Sequence, residues 1–260
     1  MSFSDRFKKS SNPVLNEERL QKVSHQGVPP GRGGDEFAMD RDHGISTVQG
    51  AINKSYLMGA LLLLTALYSF YSPSMTFVWA GAIGGLALVF AMCYRPQWSP
   101  TLAPIYALVE GLFVGSITAI YASGFGIGIV FQAVLLTIAL LFMMLFVYQT
   151  GLIKVTKSFR TGIMMATGGI LIVYLINIGL SFFGMNLPFL HQGGVIGIGI
   201  SLFIIGIATL NLLLDFDSFE KIEELRAPQY MEWFCAMGLI VTIVWIYVEV
   251  LRLLSVLSSD

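Results

Sequence analysis

Seven apolar stretches, each near the length of a helix that crosses a bilayer, constrain this chain more than any other feature. They cover roughly residues 55–71, 76–94, 102–122, 127–148, 162–183, 195–214 and 231–254, separated by polar or Gly/Pro punctuation. About 20 helical residues at ~1.5 Å each cross the ~30 Å of hydrocarbon. Strands of a membrane barrel would alternate apolar and polar residues over ~10-residue segments. These stretches are apolar on every side, and a helix satisfies its own backbone hydrogen bonds in lipid, so an all-α integral membrane bundle is expected. Composition agrees, with 55% apolar and 12% charged residues in 260 and a mean hydropathy of +0.75.

The charges are unevenly placed. Residues 1–54 hold eight of the fifteen Lys and Arg and seven of the sixteen Asp and Glu. Residues 1–50 are rich in Gly, Pro, Ser and charge without a helical or strand period, which predicts a flexible tail ahead of a seven-helix domain spanning 51–260. A short amphipathic approach helix around residues 47–53 is the one ordered element the tail suggests. The polar N-terminus lacks the pattern of a cleaved signal peptide, so the first apolar stretch is expected to act as the insertion signal.

Lys54, Arg95, Lys154, Lys157, Arg160, Lys221 and Arg226 fall in alternate connections, while the connections around 72–75, 123–126 and 184–194 hold no Lys or Arg. Fourteen of fifteen basic residues thus lie on one side, Arg252 being the exception. The positive-inside rule makes that side cytoplasmic, with the N-terminus inside and the C-terminus outside. Tyr and Trp gather near the ends of the stretches, as interface anchors do.

Cys93 and Cys235 have no Cys or His at metal-ligand spacing and read as packed thiols. His25, His43 and His191 lack partners at ligand spacing. No nucleophile elbow, phosphate loop or zinc-helix motif is present, so neither an enzyme nor a cofactor-dependent protein is expected. No nucleic-acid partner is expected either. The pairs Gly81/Gly85, Gly111/Gly115 and Gly193/Gly197 match a small-xxx-small pattern that lets helices approach closely.

Chemistry is therefore sought among the acids of the apolar stretches: Glu110, Asp215, Asp217, Glu232 and Glu249. A carboxylate in hydrocarbon costs about 2.5–3.5 kcal/mol on insertion, so those present face the bundle interior, a partner or water. Glu110 stands ~12 Å along the third stretch from its basic end, and Asp215 sits near the basic end of the sixth. With Arg95 at the same end of the second, the three can share one shell, either a proton-sensitive latch or a calcium site completed by Asn211 and Thr209. Glu249 and Arg252, one turn apart, read as a local ion pair that eases insertion. The segment 217–226 reads as a solvated extension, and Asn211 as a residue that bridges helices.

Val109-Glu110-Gly111-Leu112, Leu214-Asp215-Phe216-Asp217 and Val250-Leu251-Arg252-Leu253-Leu254 occur in this order, with Met231-Glu232-Trp233 before the last stretch. Over residues 55–260 the chain resembles the Bax inhibitor-1 (transmembrane Bax inhibitor motif) family, in its bacterial branch with a long N-terminal tail. That resemblance implies a central seventh helix wrapped by the other six, in the bacterial inner membrane. It also implies a pH-sensitive calcium leak, in which an aspartate pair between helices 6 and 7 responds to protonation and an Arg ending helix 2 helps to lock the pore. Asp215 and Arg95 match two of these positions. Thr242 stands where the helix 7 aspartate is expected, and a Thr hydroxyl neither titrates near neutrality nor brings charge to a cation. Glu249 lies two turns, ~10 Å, further out, so Glu110 is the better substitute on depth. The different reading is a non-catalytic regulator that binds another membrane protein, such as a protease, through its tail and helix surfaces.

Overall fold

The computed structural model describes residues 44–181 and 195–259. The expected tail over 1–43, the three histidines, the loop at 184–194 and Gly193 of the third glycine pair lie outside the described residues. Among the described residues there are seven α-helices: α1 (Val48–Tyr71), α2 (Met75–Tyr94), α3 (Ser99–Phe125), α4 (Ile127–Gln149), α5 (Lys157–Ser181), α6 (Val195–Glu224) and α7 (Tyr230–Ser259). All seven are long and apolar enough to cross a membrane, so this is a multi-pass membrane protein. Among the described residues there is no strand beyond one isolated bridge, Ile45 to Pro228.

Local chemistry sets the ends. Thr47 caps α1 by accepting from the Gly50 N–H, and Ser74 caps α2 by accepting from Thr76. A 3-10 turn over Pro96–Trp98 leads into α3, which has Pro in its first turn where no donor is missed. One residue, Gly126 at φ 85°, joins α3 to α4; the reversal there needs the left-handed region that glycine enters freely.

Several ends differ from the sequence expectation, among them those of α1, α3 and α6. α1 starts at Val48, so the approach helix is continuous with the span and residues 44–50 are built into the bundle. α3 runs on to Phe125. α6 does not stop near Leu214 but continues through the charged segment to Glu224. The extension is amphipathic: Phe219 and Ile222 are buried with Ala51 and Cys235 in a small apolar cluster, while Glu220, Glu223 and Glu224 stay exposed.

α7 is the central helix. Two thirds of its spanning window (67%) is buried, against 6% for α5. It packs against α1, α3, α4 and α6, whereas α2 lies chiefly on α3 and α5 chiefly on α6. Four of the six wrapping helices thus pack along α7, while α2 and α5 lie further out, α5 still reaching α7 through Tyr174 and Glu249.

The α1–α3 contact shows how such packing arises where lipid is as apolar as Leu. In a membrane, close backbone approach and polar bonds hold helices together. Ser99, Ala103, Ala107, Gly111 and Gly115 recur every four residues on α3, and all are buried. A Cβ on Gly111 would overlap the Leu62 carbonyl of α1, and one on Gly115 the Ala66 carbonyl. The matched four-residue steps fit two parallel helices in ridge-to-groove contact. A buried hydroxyl pair closes the far end of this contact: Ser69 donates to the Leu112 carbonyl at 2.7 Å and meets Ser116 Oγ at 2.5 Å.

Candidate functional site

Asp215 lies on α6 where that helix faces the start of α7. Its Oδ1 stands 3.5 Å from where a Cβ on Gly238 would be, an ordinary packing distance, so the carboxyl lies against α7 at that glycine. Oδ2 is buried with no hydrogen-bond partner among the described residues. Thr242, one turn beyond Gly238, is buried and donates to the Gly238 carbonyl at 3.2 Å. The position that the resemblance assigns to a second aspartate therefore does border Asp215, with a hydroxyl in place of a carboxylate. A carboxylate with one oxygen buried and unpartnered calls for a proton, a cation or water there.

Arg95 and Glu110 do not join it. Arg95 is exposed and lies over the Trp98 ring, 5.0 Å from its centroid, as an interface anchor. It forms no ion pair among the described residues; those present are Lys54–Glu232, Arg160–Asp217, Lys221–Asp217 and Arg252–Glu249. Glu110 points toward α2, its Oε2 filling the notch left by Gly85. α3 and α6 pack on opposite sides of α7 rather than on each other. The expected single shell of Glu110, Asp215 and Arg95 is thus not assembled. Depth along the helices put these residues at similar levels, but the side of α7 on which each helix sits is a tertiary property. Among the described residues no group of three or more His, Cys, Asp or Glu side chains could hold a metal ion.

Glu249 belongs to a larger polar cluster than the local ion pair read from the sequence. It pairs with Arg252 at 2.7 Å and accepts from the Tyr174 hydroxyl of α5, and it is 4% exposed. Arg252 also reaches Ser201 of α6 at 3.4 Å and lies 5.9 Å from the Tyr174 ring centroid. Three helices meet here around one charge pair. Cys235, Gly238, Thr242, Trp245, Glu249 and Arg252 step by three or four along α7, so this cluster and the Asp215 site share one helical stripe.

A third buried acid, Glu232, sits in the first turn of α7 at 2% exposure. It pairs with Lys54, and its Oε1 accepts from the Thr47 N–H at 2.8 Å and the Thr47 hydroxyl at 3.3 Å. The Val48 N–H donates to Glu223 of α6 at 2.9 Å. Two carboxylates from other helices thus satisfy donors that open at the α1 N-terminus, where the helix dipole also favours negative charge. Ser46, fully buried, donates from its N–H to the Ala227 carbonyl at 2.8 Å and from its hydroxyl to the Pro228 carbonyl at 2.6 Å. The entry to α1 is clasped to the α6–α7 turn. The partners are about 180 residues apart, so no spacing in the sequence could signal them.

The fold and these sites define an all-α, multi-pass membrane protein with acidic residues buried between a central helix and its neighbours. The family model for Bax inhibitor 1 like proteins matches residues 11–259, and the chain belongs to that family. No curated protein sequence matches it.

Proposed function

We propose that this protein is a cation leak, calcium being the physiological ion, whose conductance is set by protonation of Asp215. The observation that carries the reading is the Asp215 carboxyl, placed between α6 and the central helix with one oxygen buried and unpartnered. Family membership supports it. The carboxylate attracts a cation; the protonated form does not. Thr242 adds a neutral oxygen where a second carboxylate would add charge, so a single acid governs the response. On the positive-inside rule the basic end faces the cytoplasm, and the bacterial inner membrane is the compartment. Calcium is the cargo here, with no resident metal.

Purified protein in calcium-loaded liposomes is expected to release the ion at rates that differ between about pH 6 and about pH 8. Asp215→Asn is expected to abolish that difference, and Glu110→Gln to retain it. An Asp215→Asn protein with an unchanged rate and pH response would rule the reading out. Absence of flux in the wild-type protein favours the non-catalytic regulator of a membrane protein instead.

A further inference from the structure

α5 is attached to the bundle differently from the other helices. It has the least buried spanning window, and Arg160, Thr167 and Tyr174 are spaced by seven, two helical turns, along one stripe of it. Each meets a polar partner on a neighbouring helix. Arg160 pairs with Asp217 of α6, Thr167 Oγ1 accepts from the Asn211 amide of α6 at 2.8 Å, and Tyr174 donates to Glu249 of α7. The seam between α5 and the core is therefore marked by polar contacts at three heights, from the basic end to the opposite one. Asp215 is one turn from Asn211 on α6, so its position on the helix lies on nearly the face that meets α5.

We infer that the ion path runs along the α5 seam, and that α5 is the element whose outward movement opens it. The inference rests on the leak reading above. Between lipid and an apolar helix face there is no hydrophobic penalty for parting, so the polar ties decide how firmly α5 is held. Parting them exposes Asp217, Asn211 and Glu249 as oxygen groups spaced along the membrane normal, the ligand type a hard cation takes in exchange for water. While α5 is seated, Arg160 gives Asp217 one of its two cations and Tyr174 donates to Glu249; Lys221 on α6 and Arg252 on α7 keep their pairs when α5 parts. At the inner mouth Lys221 pairs with Asp217 at 2.5 Å, and Tyr148, Lys154 and Glu220 line the same cavity; at the outer one Ser201 receives Arg252, and Tyr121 stands near the Glu249–Arg252 pair.

The test links α5 to α6 at mid-height. Thr167→Cys/Asn211→Cys, in a chain with Cys93 and Cys235 replaced by Ala, is reconstituted in calcium-loaded liposomes. It is then joined through a disulfide or a short bis-thiol reagent. Linking is expected to lower the leak by about tenfold or more, with recovery on reduction of the disulfide. Tyr174→Phe, which removes one tie without a charge change, is expected to raise the leak. A leak that persists in fully linked protein overturns the seam while leaving the Asp215 gate standing; no leak in the unlinked wild type overturns both. Should the double-cysteine chain fail to fold, Tyr174→Phe and Arg160→Gln decide alone, and unchanged leaks in both overturn the seam.

Discussion

Lys54→Met is expected to destabilise the protein by about 3–5 kcal/mol, the cost of removing one partner from a buried ion pair. Lys54 and Glu232 are 17% and 3% exposed at the side chain, so little solvent can screen the pair or replace the lost partner. Glu232 would keep its bonds from Thr47, but those dipoles do not cancel a full charge. The surroundings cannot relax cheaply, since a Cβ on Gly50 would already overlap the carboxylate. Lys54→Met/Glu232→Met removes both charges and is expected to recover part of the loss. Thermal unfolding in detergent measures all three proteins. A single variant within about 0.5 kcal/mol of wild type would show that the clasp does not hold the α1 entry to α7.

Gly115→Ala is expected to cost about 3 kcal/mol, the upper end of the usual range for overpacking, with a larger loss for Gly111→Ala/Gly115→Ala. The atoms in the way are the Ala66 and Leu62 carbonyls of α1, so no rotamer change makes room and the helices must separate. Separation would also strain the Ser69–Ser116 contact. Gly169→Ala on α5 is the control. Nothing stands within 4 Å of a Cβ there, and an Ala in a helix is favoured over Gly by roughly 0.5–1 kcal/mol. Opposite signs at Gly115 and Gly169, read from unfolding midpoints in one detergent, separate a packing glycine from a merely helical one. Equal effects would mean that close approach of α1 and α3 is not what this glycine provides.

Both glycine pairs that the sequence offered within the described residues, 81/85 and 111/115, do mark close approaches, to α3 and α1 respectively. Asn211 does bridge helices, through Thr167. These features were legible because each lies within one helix and repeats with its period. Convergence of Glu110, Asp215 and Arg95 was inferred from depth alone, and depth does not say which neighbour a side chain faces. Glu110 turns to α2, and Arg95 stays on Trp98. The Glu249–Arg252 pair was visible at a spacing of three, while its third member, Tyr174, is 75 residues away and carried no local signal.

The seven membrane-spanning helices among the described residues follow from the sequence, because apolar runs of bilayer length can bond their own backbone only as helices, without the alternation a barrel strand needs. The sequence also determined which residues are too costly to stand in lipid without a purpose. Which of those acids are clasped by a cation is set by the packing of the helices. Glu232 and Glu249 each pair with a cation and accept from hydroxyl or N–H donors, whereas Asp215 has no ion pair among the described residues. The physical reason is that a charge is satisfied by what stands within a few ångströms of it. In a helical bundle those neighbours come from distant parts of the chain, brought together by packing that no single helix encodes.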